Sequence, residues 1–146
     1  MEPQADSEGC PTLRRAGYAF GGGNGCIAEA RDHVGDFLTR ARAEQGLDVP
    51  PRTTELAQLV VSELVTNACK YAPGPVLMEL VITATEIEIV VWDSDPNVPA
   101  ARALDPDRIG QHGLEIVKAI THMLDIQRQA VGKRVATRIP LRKTTP

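Results

Sequence analysis

Aromatic side chains are scarce in this chain: one Trp, two Tyr and two Phe, 3% of 146 residues. A core of that kind has to be aliphatic, and the length gives room for one domain around one core. An excess of positive charge is missing too. The formal net charge is −3, which gives no overall attraction to nucleic acid. No apolar run reaches the roughly 18 residues that a membrane-crossing helix needs. The best stretch, residues 56–65, is interrupted by Gln58, Ser62 and Glu63. The acidic, polar start has no basic-then-apolar leader, so a cytoplasmic location away from any membrane is expected. Cys10, Cys26 and Cys69 have no pairwise spacing suited to a metal and no even count. They are expected as reduced thiols, with Cys69 taking part in helix packing.

What is present divides into a tail over residues 1–17, a single domain over 18–141 and a short tail over 142–146. The first tail is expected to be disordered, having prolines, glycines and no period. Residues 18–20 read as a short strand, followed by the breaker cluster Gly21-Gly22-Gly23-Asn24-Gly25. Gly23-x-Gly25-x-x-Ala28 loosely fits a dinucleotide-binding loop. A real fingerprint follows a full buried strand and has an acidic residue about 20 positions on, at the end of a second strand. Here residues 27–45 form one amphipathic helix instead, carrying Ala30, Val34, Phe37, Leu38 and Ala41, with Gly46 as its stop. After a turn at 48–51, Thr53 or Thr54 offers a cap oxygen for a second helix over 54–72, which Pro73-Gly74-Pro75 ends. Strands follow at 76–83 and 86–92, then a third helix at 113–123. Segments 124–128 and 133–141 close the chain as a hairpin about Val131-Gly132. These elements predict an α/β (α+β) two-layer sandwich, with helices on one face of a mixed, largely antiparallel sheet.

The second helix carries the most informative residues. Ala57, Val61, Leu64, Val65 and Ala68 share one face, wide enough to bury. Glu63, Asn67 and Lys70 line a second ridge at i, i+4 and i+7. Burying a carboxylate, a carboxamide and an ammonium without partners costs several kcal/mol each, on the order of the usual penalty. Spacing alone leaves two readings: a ridge facing a cleft or ligand, or a solvated edge with a Glu-to-Asn hydrogen bond along the helix.

Further along, the alternating strand ends in Trp92-Asp93-Ser94-Asp95-Pro96, and Gly110-Gln111-His112-Gly113-Leu114-Glu115-Ile116-Val117 opens the third helix. A Glu-Leu-Val-Thr-Asn-Ala helix, an Asp at a strand end and a glycine-flanked segment entering a helix, in that order, resemble the Bergerat-type ATP-binding fold. DNA gyrase B, the ninety-kilodalton heat-shock chaperones, histidine kinases and MutL share that fold. The wording is most similar to the small anti-sigma-factor serine/threonine kinases and their actinobacterial relatives. The resemblance covers about residues 18–141.

The resemblance implies ATP and Mg²⁺ as cofactors and assigns roles. Asn67 corresponds to the magnesium ligand, through its amide oxygen. Glu63 corresponds to the catalytic carboxylate, either taking a proton from the attacking hydroxyl or orienting Asn67 and a metal-bound water. Lys70 is placed to balance phosphate charge or to sit as a surface lysine at the mouth. Asp93 matches the aspartate that accepts from adenine's amino group. Gly110, Gly113 and the N–H groups from Leu114 onward would meet phosphates at a helix start, where free donors and the dipole favour anions. Arg108 is the candidate to reach the γ-phosphate from a mobile lid over residues 95–111, with His112 either joining it or acting as a cap.

As partners, the resemblance implies a sigma factor, a phosphorylatable anti-sigma antagonist domain and a homodimer. The alternative activity is that of a nucleotide-gated interaction module that transfers little or no phosphate. Departures from the family wording are Asp95 and Pro96 after Asp93, two residues rather than one between Gly110 and Gly113, and Arg134 where a threonine often helps hold adenine. They imply weaker ATP binding.

Overall fold

Apolar residues at helical spacing build α1 (Cys26–Gln45), in which Ala30, Val34, Phe37, Leu38 and Ala41 are all buried. Gly46, at φ 67°, ends it in a left-handed turn that a residue without a Cβ adopts freely. The computed structural model describes residues 11–21, 25–71, 75–94, 123–128 and 132–141.

Helix α2 (Pro51–Tyr71) begins three residues before the expected position 54. Pro51 accounts for that, because its fixed φ suits the first helical position and its missing N–H has no partner there anyway. Thr53 is not the cap. Its hydroxyl donates to the Leu141 carbonyl at 2.7 Å, tying the helix start to the end of the domain. The expected core face is borne out: Ala57, Val61, Leu64, Val65 and Ala68 are each no more than 2% exposed. Truncating Leu64 to Ala there would cost about 2–5 kcal/mol, the usual range for a packed core.

The strands are β1 (Arg14–Phe20), β2 (Val76–Ile82), β3 (Glu86–Asp93), β4 (Met123–Arg128) and β5 (Lys133–Pro140). They form one sheet in the order β1-β2-β3-β5-β4. Every pairing among the described residues is antiparallel, so the expected mixed sheet narrows to an antiparallel one. The two helices pack on each other and on the sheet, giving the expected α+β sandwich. Core-facing positions alternate along β3, where Ile87, Ile89 and Val91 are buried against the helices. Glu86 and Glu88 look the other way and meet Arg138 at 3.6 and 3.7 Å.

Two boundaries differ from expectation. Residues 14–17 belong to β1 rather than to a tail. Arg14 and Arg15 conceal that strand, since an edge strand needs only one half-buried face. The backbone is held by pairing with β2, and the side chains pair with Glu44 at 2.7 Å and Glu79 at 3.3 Å. Met123 opens β4 instead of closing a helix, because it pairs with Arg138 in the final hairpin. No helix among the described residues is long and apolar enough to cross a membrane.

Candidate functional site

Glu63 and Asn67 sit one turn apart on α2. Asn67 is 4% exposed and Glu63 is half-buried. The Glu-to-Asn hydrogen bond that a solvated ridge would make is absent. Neither side chain has a hydrogen-bond or ion-pair partner among the described residues. A buried carboxamide left in that state is costly, by about 1–3 kcal/mol, and calls for a ligand. The rest of the ridge is uneven: Val60 is buried, while Leu59 is 39% exposed. The side chain of Lys70 lies outside the described residues.

Asp93 is the last residue of β3 and lies directly across from Lys133, the first of β5. Residues opposite each other in an antiparallel pair share a face. Asp93 therefore continues the helix-covered row of Ile87, Ile89 and Val91, and Lys133 the row of Val135 and Ile139. The Lys133 ammonium meets both carboxylate oxygens, Oδ2 at 2.8 Å and Oδ1 at 3.1 Å, and the two side chains are 0% and 1% exposed. The pairing of β3 with β5 is tight at this point. Gly132 has φ 88°, and a Cβ there would fall 1.7 Å from the Asp93 carbonyl oxygen.

Arg134 is on the other side of the sheet. It stacks over Trp92, 5.7 Å from the ring centroid, and lies 3.8 Å from Asp125. Arg134, at the position where relatives often carry a threonine, is therefore not the neighbour of Asp93; that side chain is Lys133. A one-residue step along a strand reverses the face. The signal was present in Lys133-x-Val135-x-Thr137-x-Ile139, whose period of two puts the lysine in the buried row.

The cysteines sit beside this site. Cys26, at the start of α1, and Cys69, near the end of α2, are free thiols with sulfurs 2.9 Å apart. Burial, then the hydrogen bond and charge of Cys26, then the charge of Asp93 push the Cys69 thiol from 9.0 up to about 12. The neutral thiol should resist alkylation. At pH 8, iodoacetamide should label Cys69 about tenfold or more slowly in the folded than in the denatured protein, because only the thiolate attacks. Peptide mass mapping reads this site by site, and equal rates would contradict the raised value. Unfolding frees a thiol that ionises near 9 while the folded one stays neutral. The stabilising contribution is therefore whole below pH 9 and is lost as the pH rises toward 12.

Arg108, Gly110, His112, Gly113 and Leu114, with the proposed lid at 95–111, lie outside the described residues. So do residues 1–10, most of the expected first tail, and residues 142–146.

The model of the histidine kinase-like ATPase domain matches residues 27–139. The chain belongs to this family. The blue-light activated histidine kinase of Erythrobacter litoralis EL346 is similar in structure over its histidine kinase domain, with a TM-score of 0.50 and 21% identity. The match takes in 77% of this chain and 61% of that chain, and it concerns the fold. No curated protein matches the sequence. For a histidine kinase-like ATPase domain, ATP binding is implied, and the residues can be tested against its usual cation. Among the described residues no three His, Cys, Asp or Glu side chains come together as a metal cluster. Magnesium does not need one, since it is commonly held by one or two protein oxygens with water and phosphate in its other positions. The buried oxygen of Asn67, which has no partner among the described residues, fits that role.

Proposed function

We propose that the protein is an ATP- and Mg²⁺-dependent serine/threonine kinase of the anti-sigma type, phosphorylating a small antagonist domain and also engaging a sigma factor. The observation that carries this reading is the placing of Glu63 and Asn67 one turn apart on α2, neither with a hydrogen-bond or ion-pair partner among the described residues, together with a buried aspartate at the end of β3. Binding a nucleotide calls for Asn67 and Asp93. It does not call for a carboxylate one turn before the metal ligand, whereas removing a proton from a hydroxyl does.

In this mechanism Asp93 accepts a hydrogen bond from the exocyclic amino group of adenine. Asn67 holds the triphosphate's cation through its amide oxygen, and that cation, when bound, neutralises charge on the phosphate oxygens. Glu63 takes the proton of the substrate hydroxyl as its oxygen bonds to the γ-phosphorus. The bond from that phosphorus to the bridging oxygen breaks, and ADP leaves. Arg108 and the N–H groups around Gly110, Gly113 and Leu114 are assigned to the phosphates on sequence grounds, and Lys70 to their charge.

Nucleotide titrations test the binding half of this reading. Wild type should prefer ATP to GTP and bind it more tightly with Mg²⁺. Asp93→Asn should weaken ATP on the order of tenfold, the value of a hydrogen bond to a charged group. Asn67→Ala should abolish the Mg²⁺ dependence. Unchanged titrations in both variants would remove the assignment.

A further inference from the structure

Two of the chain's three cysteines meet, although they lie 43 positions apart. Cys26 opens α1, and Cys69 lies in the last turn of α2, two residues after Asn67. Their sulfurs stand 2.9 Å apart, and both are free thiols. Cys26 is buried and Cys69 is half-buried, so an oxidant from solvent reaches the pair through Cys69.

Packing by itself asks only for small side chains between the helices. Elsewhere on α1 and α2 alanine serves for that, at Ala30, Ala41, Ala57 and Ala68, all buried. Two thiols face to face add a property that alanine lacks: they close into a disulfide once two electrons are removed. Bonded sulfurs stand about 2.05 Å apart, so closure asks for an approach of less than about 1 Å between side chains already in contact.

We infer that Cys26 and Cys69 are a redox latch, whose disulfide ties the end of α2 to the start of α1 and loosens the hold of Asn67 on the nucleotide's cation. The bond itself is independent of the function proposed above; its effect on the cation rests on that reading. With a hydroperoxide as oxidant, the Cys69 sulfur attacks one peroxide oxygen. The O–O bond breaks, and the thiol proton leaves with the other oxygen as water. The Cys26 sulfur then attacks the sulfenic sulfur of Cys69, the S–O bond breaks, and the second thiol proton leaves with that hydroxyl as water. Two thiols are oxidised and one peroxide is reduced to two waters. Closure draws the last turn of α2 toward α1, and Asn67 belongs to that turn. Magnesium takes its oxygen ligands in a near-ideal octahedron at about 2.0–2.1 Å and tolerates little displacement of one of them.

The test treats the full-length protein with excess hydrogen peroxide for hours, since the neutral Cys69 thiol reacts slowly. The three cysteines fall in separate tryptic peptides, residues 1–14, 16–31 and 53–70, so a map made without reduction tells which are joined. Peptides 16–31 and 53–70 should be linked within one molecule, and dithiothreitol should release them. The melting temperature should rise by about 5 °C or more, because the bond closes a long loop. In Mg²⁺ the oxidised protein should bind ATP about fivefold or more weakly than the reduced protein, and equally well without Mg²⁺. In Cys26→Ser and Cys69→Ser, peroxide should alter neither melting nor ATP binding; if a serine variant does not fold, the wild-type map and its reversal decide. A map that joins either cysteine only to peptide 1–14, or only to a second molecule, overturns the latch, as does a map with no link. A 16–31 to 53–70 link that leaves ATP binding in Mg²⁺ unchanged overturns its hold on the cation site. If the reduced protein binds no ATP, the proposed function fails, while the link and the melting shift still judge the bond.

Discussion

Glu63→Gln should slow phosphorylation of the cognate antagonist by about 10²–10⁴-fold, the usual worth of a general base, while ATP affinity stays within a few-fold of wild type. The change is chemically narrow. Glutamine has nearly the same shape as glutamate, Glu63 is only half-buried, and its carboxylate has no hydrogen-bond or ion-pair partner among the described residues, so little of the fold depends on it. What disappears is the acceptor for the hydroxyl proton. Single-turnover transfer from labelled ATP measures it, with the antagonist shown to bind so that absence of transfer has meaning. Two results would contradict the proposal in different ways. If wild type binds ATP and antagonist but moves no phosphate, the protein is a nucleotide-gated module. If Glu63→Gln loses ATP binding together with its Mg²⁺ dependence, the carboxylate orients the shell around the cation and is not the base.

Gly132→Ala should be among the most damaging single methyl additions, destabilising the protein by at least about 2–3 kcal/mol, the scale of strained backbone with a steric clash added. Two effects combine. The φ of 88° lies in the left-handed region, and the new Cβ would fall 1.7 Å from the Asp93 carbonyl oxygen and 2.8 Å from Ser94 Cα. Backbone cannot rotate aside as a flexible side chain can, so the start of β5 or the end of β3 must shift. That shift would move Asp93 and Lys133 apart and weaken ATP binding as well. Gly46→Ala is the internal comparison. Gly46 also has a positive φ, 67°, but a Cβ there meets nothing within 4 Å. It should cost only the conformational part, about 1–2 kcal/mol. Urea denaturation of the two variants separates strain from collision, and equal losses would show that packing against Asp93 is not the cause.

Several features of the site were open to the sequence because they repeat within one element. The helical period of Ala57, Val61, Leu64, Val65 and Ala68 defines a buried face, and Glu63 and Asn67 must then share a ridge. Alternation of Ile87 and Ile89 with Glu86 and Glu88 does the same for β3. Edges were harder. Arg14–Gly17 carries almost no apolar signal, yet forms strand because β2 offers an unpaired edge to it. Thr53 looks like a cap in sequence, but its hydroxyl is taken by Leu141, 88 residues away along the chain.

By itself, then, the sequence determined the α+β class, the two amphipathic helices and the ridge bearing Glu63 and Asn67, all of which follow from short-range periodicity. The tertiary structure alone decided the strand order β1-β2-β3-β5-β4 and the register that sets Lys133, rather than Arg134, beside Asp93. It alone left Asn67 buried without a partner among the described residues and brought Cys26 against Cys69. The reason is physical. Periodicity tells which face of an element is apolar, but which polar groups meet on that face depends on pairing between segments 40 or more residues apart, and hydrophobicity along the chain does not encode it.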